Sequence, residues 1–187
     1  MRMQEWEKLQ TEVESCNRCG LAATRTKVVF GVGNPKAKVL FIGEGPGEQE
    51  DLKGEPFVGR AGQLLDKMLL AAGFSRSENV YIANMVKCRP PQNRDPASDE
   101  VEQCIGWLRS QVKLIKPRVI VCLGRVAAMH IISPDFKVTK QHGEFFERGE
   151  TLLMGTYHPA AILRNINLKP DAFADLLKVR ELLEKEQ

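Results

Sequence analysis

The sequence predicts an α/β protein with a mostly parallel sheet and helices on both faces. Short apolar runs, such as residues 39–43 (Val-Leu-Phe-Ile-Gly), are typical of strands that are buried on both sides. These runs alternate with segments in which apolar residues recur at helical spacing. Alternating strands and helices favour a parallel sheet, because each connection crosses over one face of it. We find no internal repeat, linker or low-complexity tract, and we expect one domain over residues 1–187.

The first half of the chain contains two predicted helices and two predicted strands. Apolar residues at helical spacing predict helices over residues 3–15 and 64–72, and Gly73 ends the second of these. Apolar runs predict strands over residues 39–43 and 79–86. A Gly-Glu-Gly-Pro-Gly turn ends the first strand sharply.

The second half of the chain continues the alternation. Ser98 is a candidate N-cap for a helix over residues 98–116, because two acidic residues follow it in the first turn. A third apolar run predicts a strand over residues 119–123, followed by a short helix over residues 125–132. The remaining predicted elements are a hairpin-like excursion over residues 136–149, a fourth strand over residues 151–157 and a last helix over residues 171–184.

Composition and charge place the chain among ordinary globular proteins. Apolar residues make up 43% and charged residues 27% of the 187 residues, with a formal net charge of +3. Residues 103–134 and 151–170 carry basic residues but no acidic ones, which suits either a surface that faces phosphate or a solvated helix face. No apolar run of about eighteen residues exists and no signal segment precedes the first cysteines, so we expect an intracellular, cytoplasmic protein without a membrane span.

Four of the five cysteines are spaced like metal ligands. Cys16 and Cys19 form a C-x-x-C motif, in which a tight turn aims two sulfurs at one site. Cys88 and Cys104 follow further along the chain, whereas Cys122 lies in an apolar run and fits an ordinary core position. Four thiolates suit zinc and a [4Fe–4S] cluster equally well. Disulfides and unrelated buried thiols are the other interpretations, and a reducing compartment disfavours disulfides.

Polar residues follow three of the predicted strands at the point where each strand ends. Glu44 follows the first strand, the second strand delivers Asn84 near its end and then Cys88, and His158 follows the fourth. Ligands of such sheets bind at the carboxyl ends of the strands, so these side chains predict one pocket. Each of the three taken alone is more often a solvated, turn-forming or structural residue.

Taken together, these segments resemble the iron–sulfur uracil-DNA glycosylases called family 4. The resemblance is carried by the four cysteines and by residues 43–48 (Gly-Glu-Gly-Pro-Gly-Glu), 56–62, 86–94 and 158–165. It implies a three-layer α/β/α sandwich with a central four-stranded, mostly parallel sheet. It also implies a [4Fe–4S] cluster on Cys16, Cys19, Cys88 and Cys104, and excision of uracil from single- or double-stranded DNA. We further expect a monomeric, nucleoid-associated protein of a prokaryote.

The resemblance also implies roles for the residues that would meet the base. Phe57 would stack on a flipped uracil, and Asn84 would read its Watson–Crick edge. Glu44 would position the attacking water, and His158 would donate a hydrogen bond to uracil O2 as negative charge develops there. Glu50 would lie beside uracil C5 and reject the methyl group of thymine.

Other matching residues would support the base or contact the DNA backbone. Backbone N–H groups of the turn formed by Gly45, Pro46 and Gly47 would assist the leaving uracil. In the stretch that ends at Asn165, Leu163 would wedge into the stacked bases and Arg164 would contact phosphate.

Two other functions stay open at the level of sequence. One is a glycosylase of altered scope, which takes hypoxanthine, xanthine or mismatched thymine. The other is a non-catalytic iron–sulfur module that binds DNA or associates with a polymerase. Relatives that remain covalently attached to the abasic sugar carry a basic loop with a histidine, which residues 89–98 lack.

Overall fold

The computed structural model describes residues 2–186, which form an α/β fold around one six-stranded mixed sheet with the order β1-β3-β2-β4-β6-β5. The strands are β1 (Val32–Gly33), β2 (Val39–Gly43), β3 (Val80–Asn84), β4 (Val119–Leu123), β5 (Phe145–Arg148) and β6 (Thr151–Thr156). The central strands β3, β2, β4 and β6 are parallel, whereas β1 and β5 pair antiparallel with β3 and β6 at the two edges.

The expectation of a four-stranded sheet is therefore wrong, and the two additional strands are both at edges. β1 contains only two residues, too few to show the alternation by which a strand is recognised in a sequence. β5 belongs to the segment predicted as a hairpin-like excursion, and it does form a hairpin with β6 through a turn at Gly149, where φ is +62°. Its outer residues, Glu147 and Arg148, are exposed and give no buried-strand signal.

Eight helices accompany these strands in residues 2–186. They are α1 (Arg2–Glu14), α2 (Glu48–Lys53), α3 (Arg60–Ala71), α4 (Ser98–Ile115), α5 (Arg125–Ile131), α6 (Val138–Gln141), α7 (Pro159–Arg164) and α8 (Lys169–Lys185). The five longer predicted helices are confirmed with small shifts at their ends, whereas the short α2, α6 and α7 were not predicted. Ser98 is not the N-cap of α4. That position belongs to Ala97, whose backbone N–H donates a hydrogen bond to the carboxylate of Glu100 at 2.8 Å.

The sheet is covered by helices on both faces. Leu40 and Ile42 of β2 pack with α1, α4 and α5 in one apolar cluster, while Val39 and Phe41 pack with α3, α7 and α8 in the other. Alternate residues of one strand point to opposite faces, so a strand buried on both sides carries an unbroken apolar run. The result is three layers, with the sheet in the middle.

The parallel strands end at one edge of the sheet, and their last residues begin the candidate site. Gly43 is paired in register with Asn84 across β2 and β3, and the segments after β4 and β6 continue from Gly124 and Tyr157. Among the helices of residues 2–186, none is both long and apolar enough to cross a membrane.

Candidate active site and cysteine site

A pocket of about 640 Å³ lies at the carboxyl ends of the parallel strands. Its lining includes every residue that sequence reasoning assigned to chemistry or base binding: Glu44, Gly45, Pro46, Gly47, Glu50, Phe57, Asn84 and His158. Arg164 also lines it, whereas its neighbours in the chain, Leu163 and Asn165, do not. Residues far apart in the chain thus meet in one cavity.

Asn84 presents an unused hydrogen-bond acceptor to this pocket. The residue is 1% exposed, and its amide oxygen is the one buried side-chain nitrogen or oxygen of residues 2–186 that has no hydrogen-bond partner. Gly43 leaves the space in front of that oxygen open, because a Cβ there would overlap it and would lie 2.6 Å from the Phe57 ring. A buried acceptor without a partner is costly, which points to a ligand donor at this position.

Phe57 forms a wall of the pocket beside Asn84. Its ring is 6% exposed and lies 5.6 Å from the His158 ring, centroid to centroid, at an interplanar angle of 35°. Its backbone has a φ of +54°, a left-handed conformation that is rare for a bulky residue. The side chain packs into the core and also lines the cavity, a position that is compatible with stacking on a base.

His158 is held as a neutral ring with a defined tautomer. It caps the N-terminus of α7, where its Nδ1 accepts a hydrogen bond from the backbone N–H of Ala160 at 3.1 Å. An accepting Nδ1 carries no proton, so the proton of the neutral ring lies on Nε2. Burial, reinforced by the charge of Arg164, lowers the pKa of His158 to about 4. At neutral pH the ring is therefore an uncharged hydrogen-bond donor.

Glu44 lies in a partly buried position next to a second carboxylate. Burial raises its pKa to about 7, and the negative charge of Asp95 adds to this effect, while Arg125 opposes it. Arg125 donates a hydrogen bond to Asp95 at 2.9 Å. A carboxyl group with a pKa near neutrality can hold or release a proton at working pH.

Glu50 is engaged by the backbone of the Phe57 segment. Its Oε1 accepts hydrogen bonds from the N–H groups of Val58 and Gly59, both at 2.8 Å. The carboxylate lines the pocket, but one of its oxygens is already committed to holding that loop. Rejection of a thymine methyl group by Glu50 stays a prediction.

The Gly45-Pro46-Gly47 turn approaches neighbouring atoms closely. A Cβ on Gly45 would lie 2.8 Å from Val86 Cγ2, and a Cβ on Gly47 would lie 2.7 Å from Glu50 Oε2. Because proline lacks an N–H group, only the two glycines of this turn can donate hydrogen bonds into the pocket.

The rim beyond His158 combines apolar and basic side chains. Leu163 is 44% exposed and Ile166 is 63% exposed, so two large apolar groups face solvent close together in the chain. Arg164 is also exposed and borders the pocket. Asn165 is exposed, and its side-chain oxygen caps a short turn by accepting a hydrogen bond from the N–H of Asn167 at 3.2 Å. An apolar pair beside a cation suits contact with unstacked bases and phosphate.

The four spaced cysteines line a second, small cavity. It lies between α1, the start of α4 and the loop after β3, and Cys16, Cys19, Cys88 and Cys104 all border it. The five cysteines of the chain are free thiols, and Cys122 is buried in β4, outside this cavity. Within residues 2–186, no three His, Cys, Asp or Glu side chains are grouped closely enough to hold a single metal ion.

Hydrogen-bond donors point at the sulfurs in this cavity. Trp107 Nε1 donates to Cys16 Sγ at 3.3 Å, and the backbone N–H of Lys87 donates to Cys104 Sγ at 3.2 Å. The guanidinium of Arg25 donates to Cys88 Sγ at 3.3 Å. Such donors favour the thiolate form that binds metal, although burial has the larger effect and raises the pKa of Cys88 and of Cys104.

Sequence reasoning missed several residues of the pocket. Asp95 follows directly on the matched segment 86–94, and Arg125 follows the end of the third predicted strand, so position in the chain was the available signal for both. Ile166 lies one residue beyond the predicted rim stretch. Arg60, inside the matched segment 56–62, and Tyr157, directly before His158, also line the pocket, but neither was assigned a role.

Comparison with known proteins agrees with this geometry. The profile of the Uracil DNA glycosylase superfamily matches residues 30–179. The chain therefore belongs to the uracil-DNA glycosylase superfamily.

Within that superfamily the chain belongs to the type-4 uracil-DNA glycosylases. It is 45% identical to the type-4 uracil-DNA glycosylase of Archaeoglobus fulgidus, with 99% of this chain and 96% of the relative covered. It is 41% identical to that of Thermotoga maritima, with 96% and 95% covered. A type-5 uracil-DNA glycosylase of Pyrobaculum aerophilum is 30% identical over 78% of this chain and 72% of the relative.

Proposed function

We propose that this protein excises uracil from DNA by binding the flipped nucleotide in the pocket between Asn84, Phe57 and His158. Family membership makes it a uracil-DNA glycosylase of base excision repair, an enzyme that hydrolyses an N-glycosyl bond. The observation that carries the residue assignment is the unpartnered, buried amide oxygen of Asn84. Uracil within a stacked duplex is out of reach, so the nucleotide has to turn out of the helix.

Asn84 selects uracil by its hydrogen-bond pattern. Its amide oxygen accepts the N3–H of uracil, and its amide NH₂ donates to O4. Cytosine presents the opposite pattern at both positions, an acceptor at N3 and a donor at N4. Two buried mismatches cost about twice the ~1–3 kcal/mol of one unsatisfied group, which disfavours cytosine strongly. Phe57 stacks on the ring, and Glu50 faces C5.

His158 assists departure of the base. Breaking the glycosidic bond leaves negative charge on uracil, and a donor that meets this charge stabilises the transition state. The Nε2–H of neutral His158 supplies such a donor at O2, supported by the N–H groups of Gly45 and Gly47. A neutral ring fits this role because it holds its donor without first having to gain a proton.

Glu44 acts on the opposite side of the bond. In its ionised form, its carboxylate orients the attacking water and stabilises positive charge on the sugar. Asp95 and Arg125 tune the proton affinity of Glu44.

At the rim, Leu163 fills the space left by the flipped base, while Arg164 and Asn165 contact the DNA backbone.

The four cysteines suit a [4Fe–4S] cluster better than a zinc ion. One tetrahedral zinc ion requires sulfurs about 3.8 Å apart, given Zn–S bonds of about 2.3 Å, whereas a cluster of several ions spaces its thiolates further apart. Membership of the type-4 uracil-DNA glycosylases, together with four cysteines around one cavity, supports the cluster. When bound, the cluster would supply cross-linking between distant parts of the chain, holding Cys16 and Cys19 to Cys88 and Cys104.

The test is release of free base from defined oligonucleotides. Wild-type protein should release uracil from a U·G duplex and from a uracil-containing single strand, and should leave cytosine and thymine in place. Because one chain contributes the whole pocket, we propose that a single-domain monomer is sufficient for excision. The excision rate per enzyme molecule should then stay the same when the protein is diluted. Absence of uracil release would refute the proposed function, and release of hypoxanthine or xanthine at a similar rate would establish the broader scope.

A further inference from the structure

The Phe57 segment is held by two charged side chains that grip neighbouring peptide groups. Arg76 donates to the carbonyl of Pro56 at 2.6 Å and to the carbonyl of Phe57 at 2.7 Å. Glu50 accepts the N–H of Val58 from the other side at 2.8 Å. The peptide group between Phe57 and Val58 is therefore bonded at its oxygen by a cation and at its N–H by a carboxylate.

Arg76 grips both peptide groups that flank Phe57. The Pro56 carbonyl belongs to the peptide before Phe57, and the Phe57 carbonyl belongs to the peptide after it. The two dihedral angles of a residue are the rotations between its flanking peptide planes. Fixing both planes fixes φ and ψ of Phe57, including the φ of +54° that a bulky side chain ordinarily avoids.

The grip is itself positioned from outside the pocket. Arg76 lies in the connection between α3 and β3, does not line the pocket and has a side chain that is 20% exposed. Asp66 of α3 accepts a hydrogen bond from Nε of Arg76 at 2.9 Å and so orients the planar guanidinium group, whose two terminal nitrogens form a fork. Helix α3 also approaches the segment so closely that a Cβ on Gly62 would overlap the Phe57 carbonyl.

We propose that Arg76, oriented by Asp66, is a positioning residue for base recognition: it holds Phe57 in its left-handed conformation so that the ring forms the wall of the base pocket. The proposal rests on the proposed function, because the ring matters only if a base stacks on it. Without the fork, the segment relaxes toward an ordinary negative φ, and the ring leaves the position beside Gly43 and Asn84. Strain that persists at a site because surrounding groups enforce it is a common feature of binding pockets.

The experiment compares Arg76→Met with Phe57→Ala and with the double variant in single-turnover excision at saturating enzyme. We expect Arg76→Met to slow excision by about tenfold. If Arg76 acts through the ring, adding Arg76→Met to Phe57→Ala should cause no further loss of rate. Arg76→Lys, which keeps the charge but not the fork, should recover part of the loss. Two independent effects that multiply in the double variant would overturn the proposal.

A matched control and a second readout separate this proposal from the proposed function. Arg180→Met removes another arginine that donates to a backbone carbonyl, that of Gly73, at 3.1 Å, and the excision rate should stay at the wild-type value. A crystal structure of Arg76→Met should show Phe57 at negative φ whether or not uracil is excised. A φ of Phe57 that stays near +54° in that structure would refute the positioning role of Arg76. A wild type that excises no uracil, combined with a negative φ of Phe57 in the variant, would refute only the proposed function.

Discussion

The buried ammonium group of Lys87 donates a hydrogen bond to the backbone carbonyl of Asn84 at 3.0 Å. It also donates to the carbonyl of Phe30 at 3.2 Å and to Oε1 of Gln111 at 2.6 Å, and Lys87 is 1% exposed. The residue that precedes a proposed cluster ligand thus supports the backbone of the residue proposed to read the base.

Replacing Lys87 with methionine should lower the free energy of unfolding by about 2 kcal/mol or more, because the Asn84 carbonyl and Gln111 Oε1 lose this donor at ~1–3 kcal/mol each. The Phe30 carbonyl keeps the hydrogen bond that Gln111 Nε2 donates at 3.0 Å. Urea denaturation measures the change. Lys113→Met, on the exposed side of α4, is the control and should stay within about 0.5 kcal/mol of wild type. Equal stability of the two variants would mean that Lys87 is not needed to satisfy these acceptors.

The cysteine site predicts a brown protein with about four irons per chain. Alanine at Cys16, Cys19, Cys88 or Cys104 should remove colour and iron and reduce stability. Cys122→Ala also truncates a buried cysteine, but should keep the full iron content because its sulfur lies in β4, away from the cavity. Iron analysis with visible absorbance measures both outcomes. Stoichiometric zinc in a colourless protein would contradict the cluster.

Asn84 should determine which pyrimidine is removed. In Asn84→Asp, uracil excision should weaken and preference should shift toward cytosine, because a carboxyl group can accept from the N4 amino group. Excision rates on matched uracil and cytosine oligonucleotides measure the shift. Full activity of Asn84→Ala, with uracil still preferred, would show that another residue reads the base.

His158 and Arg164 should separate chemistry from binding. His158→Ala should lower the single-turnover rate by about a hundred- to a thousandfold with little change in DNA affinity, since its hydrogen bond strengthens only in the transition state. Arg164→Ala should instead weaken binding and lower the salt dependence by about one counterion, with a smaller change in saturated rate. A wild-type rate for His158→Ala would place the leaving-group donor elsewhere in the pocket.

The rate of excision should rise with pH through about 7, the pKa to which burial and Asp95 raise Glu44. Below that pH the carboxyl group is protonated and cannot stabilise the sugar cation. Asp95→Asn removes a neighbouring negative charge and should move the midpoint to lower pH, while Glu44→Gln should flatten the profile at a low rate. Asp135→Asn, outside the pocket, should leave the midpoint in place.

The same raised pKa has a consequence for stability. Folded protein holds the Glu44 proton at pH values where the unfolded chain, in which the carboxyl group has its ordinary pKa of 4.5, has released it. Stability therefore falls as pH rises between these two values. Glu44→Gln, which cannot ionise, should gain stability relative to wild type above pH 7 in urea titrations at several pH values. No such gain would indicate that the Glu44 carboxylate is well solvated.

The sequence predicted the residues that follow the strands better than it predicted their surroundings. Glu44, Asn84 and His158 could be found because each ends a buried apolar run, and parallel strands bring such ends together. Asp95 and Arg76 act on the pocket through contacts with Glu44 and Phe57, which lie far from them in the chain. No local pattern encodes such contacts.

Local chemistry also misled the prediction at one helix and at both edges of the sheet. Ser98 has the residue type of an N-cap, but the carboxylate of Glu100 accepts the N–H of Ala97 instead, and two hydrogen bonds from Arg94 hold that carboxylate in place. The pairing of Val32 with Ile82 in β1 depends on a partner strand that lies fifty residues away.

The short antiparallel strands at the two edges of the sheet affect how copies of this protein meet one another. An exposed edge strand offers N–H and C=O groups with which another chain can pair and extend the sheet. Here β1 offers only two residues, and β5 ends in the exposed, oppositely charged pair Glu147 and Arg148. Neither edge therefore offers a long row of free backbone groups with which a second molecule could pair a strand. We expect the protein to resist, in concentrated or warmed solutions, the edge-to-edge aggregation to which open parallel sheets are prone.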